Sequence, residues 1–233
     1  MKIGENVALL TLPSPIPGVT AHINLVLAWD DHNLALIDAG FPGQVDMIKQ
    51  AIAKEGFSAE NLTHLIITHQ DLDHIGCMKD LLQIAPNMQI MTHCDEAPYL
   101  DGRKVPVKLA AALENYDNLP EEHKQGIDQG KQIYKQLQLK FHKELQDKDV
   151  LPICGGIEVM HTPGHTPGHV VLFLQKSRIL VCGDAANIKE NQISEPNPMH
   201  THDMDLGLKS LDKIKKFPKN GLVAYHGGYL AAK

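Results

Sequence analysis

The stretch His69-Gln70-Asp71-Leu72-Asp73-His74 places four metal-binding or proton-transferring side chains within six residues. It follows directly on Leu62-Thr63-His64-Leu65-Ile66-Ile67-Thr68, whose aliphatic and β-branched residues predict a short buried strand over 62–68. A strand that ends in a polar cluster delivers that cluster to one edge of a sheet. Side chains from other strand ends can converge there. The chain must therefore fold so that several strand ends meet.

Three further predicted strands end in the same way. Gly156–Met160 runs into His161-Thr162-Pro163-Gly164-His165, Arg178–Cys182 into Gly183-Asp184, and Leu222–Tyr225 into His226-Gly227-Gly228. The candidate metal ligands are His69, Asp71, Asp73, His74, His165, Asp184 and His226. A catalytic zinc with one open position needs only three protein ligands. Two ions that share one carboxylate need about as many as this chain offers. His69 and Asp71 can point toward one ion, Asp73 and His74 toward a second. Asp184 is the only carboxylate in its segment, which makes it the natural bridge. Gly164 lets the backbone bend to present His165, and Gly227-Gly228 permits close approach at His226. Imidazole and carboxylate donors suit zinc first, with manganese or iron as alternatives. The absence of Cys from the set argues against a purely structural site. A hydroxide held between two cations is a strong nucleophile at neutral pH, and Asp73 is placed to orient it or carry a proton. The expected chemistry is metal-assisted hydrolysis.

The remaining pattern is that of an α/β chain. Val7–Leu12, Ile23–Trp29 and Leu34–Ile37 read as strands, Gln44–Lys54 as a helix stopped by Gly56, Ile75–Ile84 as a helix and Gln89–Thr92 as a strand. Residues 97–149 are rich in charged and amide side chains. Their apolar positions recur at helical spacing, with no β signal, so they read as a helical insertion of two or three helices joined at Leu119-Pro120. Strands return at Gly156–Met160, Val170–Leu174 and Arg178–Cys182, followed by a helix over Asp205–Lys216 and a last strand at Leu222–Tyr225. Two sheets facing each other with helices outside follow from this order.

With 233 residues, one large domain carrying the insertion is expected. A formal net charge of −6 without a basic stripe argues against a nucleic-acid partner. No apolar run approaches the roughly 18 residues that cross a bilayer, and Met1–Asn6 does not read as an export signal. A cytoplasmic protein with no membrane partner is expected, as a monomer or homodimer. Cys77, Cys94, Cys154 and Cys182 form no CxxC pair and read as buried reduced thiols.

The His69-x-x-x-Asp73-His74 cluster after an Ile-Ile-Thr strand, Thr162-Pro-Gly-His-Thr-Pro-Gly-His169, Gly183-Asp184-Ala185 and the final His226-Gly-Gly resemble the metallo-β-lactamase superfamily in order and spacing. Leu36-Ile37-Asp38-Ala39-Gly40 matches its early strand-to-turn segment. The resemblance implies a four-layer αββα sandwich with the site at one edge of two mixed sheets. It implies His69, residue 71 and His165 at a first ion, Asp73, His74 and His226 at a second, and Asp184 bridging them. The sequence departs from the usual His-x-His-x-Asp-His pattern at Asp71. A carboxylate there is harder than imidazole and shifts preference toward manganese or iron, or weakens the first site. Asp71 sitting behind the ligands is the alternative.

The turn segment is similar to those of hydroxyacylglutathione hydrolases and acyl-homoserine lactonases. The expected substrate is therefore a small ester, lactone or thioester. Alternatives are a phosphodiesterase or nuclease, or a metal-binding sensor without turnover. Asp38 is expected to orient a ligand histidine or simply to end a strand. His161 and His169 are expected to be satisfied by hydrogen bonds, His93 to be structural and His22 to be a surface or core residue rather than one approaching the pocket, while the loop of His200 and His202 is equally expected to line the pocket or to be solvated.

Overall fold

The computed structural model describes residues 1–16 and 21–232. Its first sheet contains seven strands, β1 (Lys2–Gly4), β2 (Val7–Pro13), β3 (His22–Trp29), β4 (Leu34–Ile37), β5 (His64–Ile66), β6 (Gln89–His93) and β7 (Lys143–Leu145), in that spatial order. The pairs from β1 to β4 are antiparallel and those from β4 to β7 parallel. The parallel crossovers carry helices α1 (Val45–Lys54), α2 (Leu72–Ile75) and α3 (Met78–Ile84). Between β6 and β7 come α4 (Ala97–Leu100), α5 (Val107–Glu114) and α6 (Glu121–Leu137). The second sheet uses β8 (Val150–Leu151), β9 (Ile157–His161), β10 (Val170–Leu174) and β11 (Ile179–Val181). After a separate hairpin of β12 (Asn187–Lys189) and β13 (Gln192–Ser194) and helix α7 (Met204–Lys216), β14 (Gly221–Ala224) and β15 (Gly228–Ala231) complete it.

Both faces of the central strands are apolar because both are covered. Along β3, Leu25 and Leu27 point to the helices while Val26 and Ala28 point to the other sheet. The inter-sheet core joins Val26, Ile37 and Ile66 to Val159, Leu172, Val181 and Val223. Outside the first sheet, Leu36 and Leu65 pack with Ile48 and Ile52 of α1 and Leu81 of α3. Outside the second, Leu180 and Leu222 pack with Leu211 and Ile214 of α7. Helix, sheet, sheet and helix thus form the four expected layers. None of the helices among the described residues is long and apolar enough to cross a membrane.

The strand at β7 corrects the expectation of a purely helical segment over residues 97–149. Lys143-Glu144-Leu145 pairs in parallel with β6 and closes the edge of the first sheet. Only Leu145 is buried. An edge strand that presents charges outward leaves no apolar alternation to read. The outer strands β1, β8 and β15 are hidden for another reason: at two to four residues they are too short to show a strand period. The expected single helix over 75–84 is divided into α2 and α3 at Gly76-Cys77.

Candidate metal centre

Each cluster residue is delivered by a strand end and then locked by a neighbour. Beyond β5, Thr68 donates its backbone N–H to Asp38 Oδ1 (2.8 Å), and its hydroxyl also reaches that carboxylate (3.0 Å). Asp38 follows β4 with φ +65°, a conformation that Asp tolerates better than most residues. Its Oδ2 lies 2.9 Å from His74 Nδ1. Nδ1 therefore carries the proton and donates, which leaves His74 Nε2 as a lone-pair donor facing the site. Tyr225, buried beside the end of β14, stacks on the His74 ring with centroids 3.7 Å apart and donates its hydroxyl to the Asp73 carbonyl.

Two glycines shape the turns. At Gly164 (φ +139°) a Cβ would collide with the backbone of Gly207 in α7, so only glycine lets the segment before His165 pass that helix. At Gly183 (φ +48°) a Cβ would lie 2.8 Å from His169 Nε2 and 3.1 Å from the Thr68 hydroxyl. That close approach lets His169 Nε2 accept the Asp184 backbone N–H (3.1 Å), while His169 Nδ1 contacts the Thr162 hydroxyl (3.0 Å). Both nitrogens of His169 are thus engaged in positioning Asp184. His161 bonds the Pro167 carbonyl (3.0 Å) and stacks on His93.

All seven predicted ligands come together in two adjoining clusters. His69, Asp71, His165 and Asp184 offer donor atoms within 4.8 Å of one another, as do Asp73, His74 and His226. Asp71 Oδ2 faces His69 Nε2 at 3.2 Å and His165 Nε2 at 2.9 Å. Asp73 Oδ2 faces His226 Nε2 at 3.2 Å. Asp184 lies between the clusters: its Oδ1 is 3.6 Å from His74 Nε2, and its Oδ2 is 3.6 Å from His165 Nε2 and 3.4 Å from His226 Nε2.

The electrostatics call for added positive charge. Asp38, Asp71, Asp73 and Asp184 crowd one small volume. Burial would lower the His74 imidazole, but Asp38, Asp73 and Asp184 outweigh it and lift it to about 9. Burial likewise opposes protonation of His226, yet its bonds to Asp184 and Asp73 raise it to about 10. Burial opposes ionisation of Asp71, but His69 and His165 hold it well below the carboxylate range. His69, pressed by burial and by His74, is pushed down to about 4. With protein atoms alone, the carboxylates must recruit protons. Divalent cations answer the same need and leave the imidazoles neutral.

The donor set fits such ions on a second ground. Asp71 Oδ1, His74 Nε2, His165 Nδ1 and Asp184 Oδ1 are buried without a hydrogen-bond partner. Buried polar atoms are rarely left so, and His74 Nε2 and Asp184 Oδ1, which face each other at 3.6 Å, mark a binding cradle that His165 meets through Nε2 and Asp71 through Oδ2. The cradle opens into a cavity of about 580 Å³. Ile16, Ala21, Phe41, Ala186 and Pro196 give it an apolar side, and Asn197 and His200 contribute from the loop before α7.

Three site residues escape sequence reasoning. Lys108 of α5 reaches the cavity and pairs with Asp71. Gln70, fully buried, donates to Glu96 Oε2 (2.7 Å) and accepts the Val107 backbone N–H (2.7 Å). Glu96 in turn binds the Thr166 hydroxyl and the Gly168 N–H (3.2 Å), and burial pushes its carboxyl up to about 8. One polar chain thus ties the residues beside Asp71 and His165 to the insertion. The one sequence signal for it is Gln70 itself, an amide flanked by two candidate ligands.

A family model described as the metallo-beta-lactamase superfamily matches residues 20–226. A probable metallo-hydrolase of Bacillus subtilis is 26% identical over 234 residues, covering 91% of this chain and 83% of the relative. A hydroxyacylglutathione hydrolase of Haemophilus influenzae is 28% identical, covering 72% of this chain and 69% of the relative. An N-acyl homoserine lactonase from a Bacillus species is 37% identical over 73 residues, covering 30% of this chain and 28% of the relative. In fold, a crystal structure of a metallo-beta-lactamase family protein from Thermus thermophilus superposes with a TM-score of 0.75 at 21% identity, covering 97% of this chain and 75% of the other.

Proposed function

The chain belongs to the metallo-β-lactamase superfamily, and from that premise we propose that it is a hydrolase with two divalent metal ions acting on a small ester, lactone or thioester. The observation that carries this reading is the placement of Asp184 between two donor clusters, with separate oxygens facing His74 and His165. His69, Asp71 and His165 would hold one ion, Asp73, His74 and His226 the other, and Asp184 both. Zinc is the first expectation for this donor set, with manganese or iron favoured by the carboxylate at 71.

When bound, the ions supply Lewis acidity toward the scissile carbonyl and lower the pKa of water at the site. The protein's own part is positioning. Asp38 fixes the His74 tautomer, and His169 fixes Asp184. Asp73, with its side chain 17% exposed at the cavity wall, is placed to orient the attacking water and to hold its proton. The apolar wall of Ile16, Ala21, Phe41 and Pro196 suits an acyl chain lying beside the reacting carbonyl. The names of two relatives, a lactonase and a hydrolase of an acyl-glutathione, support an acyl–oxygen or acyl–sulfur bond as the target.

Metal analysis combined with a panel of esters, lactones, thioesters and phosphodiesters tests this. Two equivalents of metal and turnover on an acyl substrate are expected. Asp184→Ala should lose tight metal retention in both clusters. Turnover confined to phosphodiesters would overturn the substrate class, and stoichiometric metal without any turnover would favour a sensor.

A further inference from the structure

Lys108 lies in the first turn of α5, and its ammonium pairs with Asp71 Oδ2. The same nitrogen is 3.4 Å from His165 Nε2. That oxygen of Asp71 is also the one facing His69 and His165. The ammonium thus stands among the donor atoms of the first cluster, where a cation would bind. The second cluster has no such guest. Among the described residues, the ion pairs of Asp73 and Asp184 are with His74, His165 and His226 only. The backbone under Lys108 is anchored, because Val107 N–H is held by Gln70, the neighbour of Asp71. Its side chain is 38% exposed on a flexible stem, so the ammonium can withdraw into the cavity. Asp71 adds a negative charge relative to an imidazole at that position, and Lys108 cancels it.

We propose that Lys108 is a resident competitor for the first metal ion, so that the cluster of His69, Asp71 and His165 binds its ion more weakly than, and after, the cluster of Asp73, His74 and His226. This rests on the two-ion reading above. An ion entering the first cluster must break the Lys108–Asp71 pair and then tolerate a nearby ammonium. An ion entering the second displaces only protons shared between His74, His226 and their carboxylates, which leave to solvent, whereas the Lys108 ammonium stays tethered beside the first.

The test is titration of the chelator-stripped full-length chain with zinc alone, read by competition with a chromophoric chelator. The wild type should take one tight equivalent and a second that is weaker by about tenfold or more, a difference of about 1.4 kcal/mol per factor of ten. Lys108→Met and Lys108→Gln should tighten the second equivalent by about tenfold and leave the first unchanged. Lys108→Arg, which keeps the charge, should leave it weak. His226→Gln should abolish the tight equivalent. Two equally tight equivalents in the wild type, or a second equivalent indifferent to loss of the Lys108 charge, would overturn the inference. A single equivalent in every variant at saturating zinc would instead refute the two-ion reading itself.

Discussion

Replacing Gln70 by Ala should destabilise the fold through two specific orphaned groups. The Gln70 side chain is fully buried, and it satisfies Val107 N–H at the start of α5 and Glu96 Oε2, each at 2.7 Å. The first residues of a helix have no partner for their N–H groups within the helix, so Val107 has nothing in its own helix to replace the amide oxygen. Stranding a buried donor or acceptor costs about 1–3 kcal/mol. Val107 is half-buried and falls at the low end, while Glu96 is fully enclosed. The sum is roughly 2–4 kcal/mol, which for a chain of this size lowers the melting temperature by roughly 5–15 °C. Thermal unfolding should be followed in excess chelator, so that metal binding does not mask the change. Hydrogen exchange at the Val107 amide supplies a local readout. It should pass from protected to nearly free in Gln70→Ala while amides of β3 and β10 stay protected. A loss below about 0.5 kcal/mol with an unchanged Val107 amide would refute the argument, because surface substitutions fall within that range.

Asp38→Asn should keep the fold but weaken zinc binding by about 10–100-fold, because an amide nitrogen opposite His74 Nδ1 no longer accepts its proton; unchanged affinity in chelator competition would remove Asp38 as the orienting group. Gly164→Ala should cost about 3 kcal/mol or more in urea unfolding, since the Cβ meets the Gly207 backbone and φ is +139°. A change under about 1 kcal/mol would show that the α7 contact yields easily. For pH, Glu96 has its native carboxyl raised from 4.5 to about 8 by burial, so between those values the native state holds a proton that the unfolded chain has released. Its contribution is full below the lower value and is lost as pH rises through the upper one. Stability should therefore fall across that window by a few kcal/mol in wild type relative to Glu96→Gln, and parallel pH profiles for the two proteins would contradict it.

The site was legible before the fold because its donors are chemically rare and tied to strand ends. His69, Asp71, Asp73 and His74 follow β5, His165 follows β9, Asp184 follows β11 and His226 follows β14, and the structure gathers all of them. The apolar runs at β3 and β10 were equally plain, because strands covered on both faces need unbroken hydrophobic sequence. What stayed hidden carries a weak local signal. The edge strand β7 has one buried residue, and the β12–β13 hairpin stands apart from both sheets.

The sequence alone determined the two-sheet architecture, the family and the donor chemistry, since periodicity and ligand type are properties of local segments. Only the tertiary structure decided which residues hold the donors in place and what shares their space. Gln70, Glu96 and Lys108 are 26 to 72 residues from the partners they bind. Nothing in an amphipathic helix marks one lysine as facing a carboxylate, because its role comes from where the insertion docks. The pairing of Asp71 with Lys108 is a product of packing across that distance. The departure at residue 71 was visible in the chain, and its compensation was not.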